Sequence, residues 1–77
     1  MEQFLKITRK SSNIRNGPGK DYTAVGIAYK GELFKVKRMV PDKSTSTMWC
    51  EIEWHDGPLD YSGAAWISTR NSKVLSA

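Results

Sequence analysis

Cysteine and histidine are nearly missing from this 77-residue chain, with one of each. A lone Cys50 excludes an internal disulfide and the usual four-ligand cysteine zinc sites. With His55 as the only imidazole, no transition-metal site is expected, and no cofactor. Long apolar runs are lacking too: nothing approaches the roughly 18 residues that a membrane span needs. The opening MEQFLKITRK has no apolar stretch behind its charges, so no secretory signal is read in it. Helical periodicity is the last absence. No window keeps an apolar stripe at i, i+3, i+4 and i+7 for three turns.

What is present argues for a folded β protein. Hydrophobic residues make up 39% and charged residues 26%, and three Trp, three Tyr and two Phe supply apolar faces that disordered chains lack. A chain of this length buries about 60% of the surface its unfolded form exposes, so a single domain over residues 1–77 with one thin core is expected. The net charge of +4 favours anionic partners such as nucleic acid, acidic lipid headgroups or phosphate-bearing wall polymers. The charges are dispersed, and the tightest cluster, Lys35, Lys37 and Arg38, reads as a solvated strand face.

Short β-branched and aromatic runs recur between turn residues. Strands are expected at Phe4–Thr8, Ala24–Tyr29, Leu33–Val40, Trp49–Trp54, Ala64–Ser68 and Lys73–Leu75. Asn13-Ile14-Arg15 leads into a dense turn cluster, Asn16-Gly17-Pro18-Gly19. Pro41 closes the third strand because it cannot donate a ladder hydrogen bond. Alternation puts Phe34, Val36 and Arg38 on one face of that strand. In the next, Cys50, Ile52 and Trp54 point inward while Trp49, Glu51 and Glu53 point outward. Trp66 opposes Ile67 in the same way. Five to six short strands with turns every eight to twelve residues describe an all-β protein, a small barrel or sandwich.

The run Asn13-Ile14-Arg15-Asn16-Gly17-Pro18-Gly19, followed by Tyr22, Val25-Gly26 and Lys30-Gly31, resembles the opening half of the bacterial SH3-like (SH3b, SH3_3-type) domains. Phe34, Val36, Trp49, Ile52 and Trp66-Ile67 resemble the second half, so the likeness covers about residues 5–75. The sequence departs from the pattern in a longer loop, His55–Gly63, and in Ala65 where a glycine normally precedes the tryptophan. The resemblance implies a small SH3-like barrel of the kind appended to cell-wall hydrolases and phage endolysins. It implies a non-catalytic module that acts outside the cell or at the wall. Such a module binds peptidoglycan, at its stem or cross-bridge peptide, or another wall polymer, and targets a linked catalytic domain.

Catalytic readings fail on the residues themselves. Cys50 is inward beside Ile52, where it behaves as a small hydrophobe rather than a nucleophile for His55. Glu51 and Glu53 lie roughly 6.5–7 Å apart along one strand, within the span of glycosidase carboxylates, but alternating Glu is the ordinary pattern of a solvated β face. The aromatics carry the stronger signal, since Tyr and Trp are favoured at binding surfaces. In the groove implied by the SH3-like resemblance, Trp49 forms the floor. Arg15 and Tyr22 form one wall, Asp60 and Tyr61 the other, and Trp66 adds a second outward indole. Arg15 either pairs with a carboxylate such as Asp21 or stays free for an anion. One alternative is a protein-interaction module for an extended peptide. It is weakened because Asp21 stands alone among Lys20, Lys10 and Arg9 rather than in an acidic loop. A nucleic-acid-binding barrel is weaker still, because Trp49 shares its face with Glu51 and Glu53 and not with lysines.

Overall fold

The computed structural model describes residues 2–42, 44–55, 57 and 61–76. Its strands are β1 (Gln3–Ile7), β2 (Ser11–Arg15), β3 (Ala24–Tyr29), β4 (Leu33–Pro41), β5 (Met48–Ile52), β6 (Ala65–Ser68) and β7 (Ser72–Ser76), with a 3-10 turn at Thr69–Asn71. The strand beyond the expected five to six is β2, where the polar Ser11-Ser12 pair joins Asn13-Ile14-Arg15 in the ladder with β3.

All pairings are antiparallel, in the order β3-β2-β6-β5-β4-β1-β7. The nine-residue β4 does the folding over. Its first three residues pair with β1, and the stretch from Val36 to Pro41 pairs with β5. One long strand shared between two ladders curls the sheet into the expected SH3-like barrel. Leu5, Ile7, Ile14, Ala28, Phe34, Cys50, Ile52, Ala65 and Ile67, contributed by six strands, meet in one buried cluster. The alternation expected for Cys50 and Ile52, and for Ala65 and Ile67, holds throughout that core.

One alternation does not hold. Val36 faces Ile52, yet Arg38 faces Glu51, so two residues of β4 pass one of β5. This bulge turns Arg38 away from the face of Phe34 and Val36. Arg38 Nε donates to Glu51 Oε1 at 2.7 Å, and its guanidinium lies 5.2 Å from the centroid of the Trp66 ring. Glu51, expected on a solvated face, is consequently buried.

Trp54 packs against the core cluster from outside. A Cβ added to Gly26 would come within 2.5 Å of Trp54 Cζ2 and 2.6 Å of Cη2. The ring therefore needs a residue without a side chain beneath it. Gly26→Ala is expected to cost about 1–3 kcal/mol through overpacking. Urea unfolding should show a lower midpoint with an unchanged slope, and a midpoint equal to the native one would show that the ring moves freely.

Candidate ligand cleft

The turn after β2 is built so that a tyrosine lies back over it. Asn16 N–H donates to Thr23 O at 2.9 Å, and Thr23 N–H returns to Asn16 Oδ1 at 3.2 Å. Inside that closure, Gly19 N–H donates to Gly17 O at 3.0 Å, and Tyr22 N–H to Gly19 O at 3.3 Å. A Cβ at Gly17 would fall 2.1 Å from Tyr22 Cδ1, so only glycine admits the ring there. Arg15 anchors the far end of the turn, donating from Nη1 to Tyr22 O at 2.9 Å. Asp21 is not its partner. The side chain of Tyr22 remains 47% exposed, which leaves it free to meet a ligand.

Cavities flank this turn on two sides. One, of about 510 Å³, is bordered by Pro18, Tyr22, Val40, Pro41 and the carboxylates Asp21 and Asp42. Hydrogen bonds from the backbone and hydroxyl of Ser44, each 2.9 Å, hold the Asp42 carboxyl below its ordinary range. The other, of about 280 Å³, is bordered by Arg9, Arg15, Lys20 and Arg70, with Ser12, Asn13, Trp49, Ser68 and Asn71 completing its wall. Lys20 borders both. Among the described residues the ion pairs are Lys35–Glu2, Lys37–Glu51 and Arg38–Glu51, so none of the four cations of the smaller cavity has a carboxylate partner. A proline-and-tyrosine surface thus adjoins a strongly basic one across a single lysine.

A family model for the bacterial SH3 domain matches residues 10–73. The chain belongs to that family. No curated protein and no solved structure matches it. The matched span of this SH3 domain takes in the Tyr22 turn, both indoles of β5 and β6, and the 3-10 turn that carries Arg70. Domains of this family are binding modules. Among the described residues, no helix is long and apolar enough to cross a membrane.

The SH3 domain brings only part of the expected groove together. Arg15 and Trp49 border the basic cavity, and Tyr22 borders its neighbour. Tyr61 is elsewhere: its ring meets Trp54 edge-on with centroids 5.8 Å apart, and its hydroxyl donates to Ala64 O. Asp60 lies outside the described residues. Trp49 and Trp66 do face away from the core cluster, as alternation requires, but each is only 3% exposed. An open indole floor is therefore corrected to a covered one. Register explains the cover of Trp66, which is flanked by Glu51 on β5 and Arg15 on β2, with Arg38 across its ring. Long arginine side chains shield apolar rings with their methylene stems while keeping the charge in water. Trp49 is flanked by Val40 and Ser68. The cations Arg9, Lys20 and Arg70 were not among the expected site residues. The pairing of Trp49 with Ser68, which brings the 3-10 turn beside β5, is the signal that places Arg70 there.

Proposed function

We propose that this SH3 domain binds peptidoglycan at its stem or cross-bridge peptide and holds a linked wall hydrolase at its polymer, outside the cell. The observation that supports this most directly is the cleft on both sides of the Tyr22 turn, in a chain of a binding family. An extended peptide laid over the turn would meet Tyr22, Pro18 and Pro41 on one side and the basic cavity on the other. The domain does no chemistry in this reading. It raises the local concentration of its linked enzyme, and tandem copies add avidity without new contacts. The covered state of Trp49 and Trp66 speaks against the nucleic-acid alternative, since neither ring offers a base a stacking face.

Co-sedimentation with purified Gram-positive walls tests the proposal. Native protein should pellet with the walls, and Tyr22→Ala should pellet at least about fivefold less, the loss of a modest interface hot spot. Tyr22 is the right residue to change because its ring is half exposed and its removal spares the core. Native protein that stays in the supernatant with every wall type tried would end the wall-binding reading.

A further inference from the structure

We infer that the cavity bordered by Arg9, Arg15, Lys20 and Arg70 is a recognition site for an oxyanion, a carboxylate or phosphate carried by the ligand. The oxyanion assignment deepens the wall-binding reading, and only the identity of the polymer rests on it.

Charge is the first reason. Four of the chain's 12 basic side chains border one cavity of about 280 Å³, and none has a carboxylate within pairing distance among the described residues. Like charges bordering one cavity add to its positive potential and draw anions into it.

Hydrogen-bond inventory is the second. Guanidinium and ammonium groups only donate. Trp49 Nε1, which also only donates, is buried without a partner among the described residues. A buried donor left unmade is costly and calls for an explanation. On the same wall, Asn71 Nδ2 donates to Ser12 Oγ at 3.1 Å, and Ser68 Oγ accepts from Arg70 N–H at 3.1 Å. The guanidinium and ammonium groups bordering the cavity can only donate, and an oxyanion is the densest acceptor they could meet.

Preorganisation is the third. Arg15 is held through Nη1 by Tyr22 O, so its remaining N–H groups keep a fixed direction. The turn carrying Arg70 is pinned at both ends, by Thr69 Oγ1 donating to Met48 O and Ser72 Oγ donating to Ser68 O, each at 2.9 Å. At about 280 Å³ the space is ample for either group with part of its hydration.

The indole N–H signals of the three tryptophans make the test direct. Native protein is titrated at constant ionic strength with inorganic phosphate, with an acetylated alanyl-alanine dipeptide bearing a free carboxylate, and with the amide of that dipeptide. A saturable shift of the Trp49 Nε1–H resonance is expected with phosphate or with the free dipeptide, and none with the amide. A phosphate response points to a phosphodiester polymer, a dipeptide response to a peptide end. Arg9→Gln and Arg70→Gln, both at exposed side chains, should each weaken the response about tenfold, the loss of one charge-assisted hydrogen bond. Silence towards both anions, or an undiminished response in the double variant, overturns the inference. Protein that pellets with walls yet ignores both anions loses the oxyanion site and keeps wall binding. Protein that takes the anions yet leaves every wall in suspension does the reverse.

Discussion

Replacing Trp49 with alanine should destabilise the domain by about 3–5 kcal/mol, the range for truncating a buried aromatic ring. For a chain of this size that lowers the melting temperature by more than about 10 °C. Although Trp49 lies outside the main core cluster, it is 3% exposed and sits centrally, between Val40 on β4 and Ser68 on β6. A tryptophan buries about 150–250 Å², and at about 25 cal/mol per Å² the ring alone accounts for the predicted loss. Domains of this length have only about 4–12 kcal/mol of total stability, so the variant stands near the edge of folding. Lost wall binding in Trp49→Ala would then report unfolding and not a missing ligand contact. Trp49→Phe is the cleaner variant, because it keeps an aromatic ring in the same place while removing the unpartnered N–H with part of the indole. Circular dichroism melts of both decide the matter. A Trp49→Ala protein melting within a degree or two of the native one would mean that the indole stands on open surface.

The tryptophans also show where sequence reasoning reaches and where it stops. Strand alternation depends only on neighbours two positions apart, so the inward direction of Cys50, Ile52, Ala65 and Ile67 and the outward direction of Trp49 and Trp66 were legible directly. What lies over an outward ring depends on which strands become neighbours. Arg38 reaches Trp66 only because β4 slips by one residue against β5, and nothing in Lys35-Val36-Lys37-Arg38 marks an extra residue. The turn cluster before Tyr22 was legible because Pro18 presets its backbone angle and the flanking glycines add no side chain to hinder a sharp reversal. The role of Gly26 was not: its need for glycine comes from Trp54, 28 residues later, crossing above it. The basic cavity was hidden for the same reason. Arg9, Lys20 and Arg70 are unremarkable as separate surface charges, and it takes the β2–β6 and β5–β6 pairings and the Arg9 N–H bond to Asn71 O to bring them together.

Cys50 should resist alkylation in the native protein by a factor of at least about a thousand relative to a free model thiol. Two routes to reaction are both closed. The side chain is wholly buried in the middle of β5, and that burial pushes its pKa from 9.0 up to about 11 by disfavouring the thiolate. Near pH 8 such a thiol is ionised about one part in a thousand, against about one in ten for the unperturbed group. Reagent must also wait for β5 to part from β4 or β6. With a few kcal/mol of stability the open state is populated about one part in a thousand or less, and the open thiol reacts with its ordinary pKa. The opening equilibrium therefore sets the observed rate, and Trp49→Ala should raise that rate more than a hundredfold by the stability it removes. The same group makes stability depend on pH in one direction. Below pH 9.0 both states keep the proton and nothing changes. Above it the unfolded chain ionises first, so stability falls as the pH rises through 11, by at most about 3 kcal/mol from this thiol. Cys50→Ala should remove that part of the alkaline slope even though it lowers stability at neutral pH. Native protein labelled as fast as a model thiol would put Cys50 on an open strand edge, and the shared core of β4, β5 and β6 could not then be packed as described.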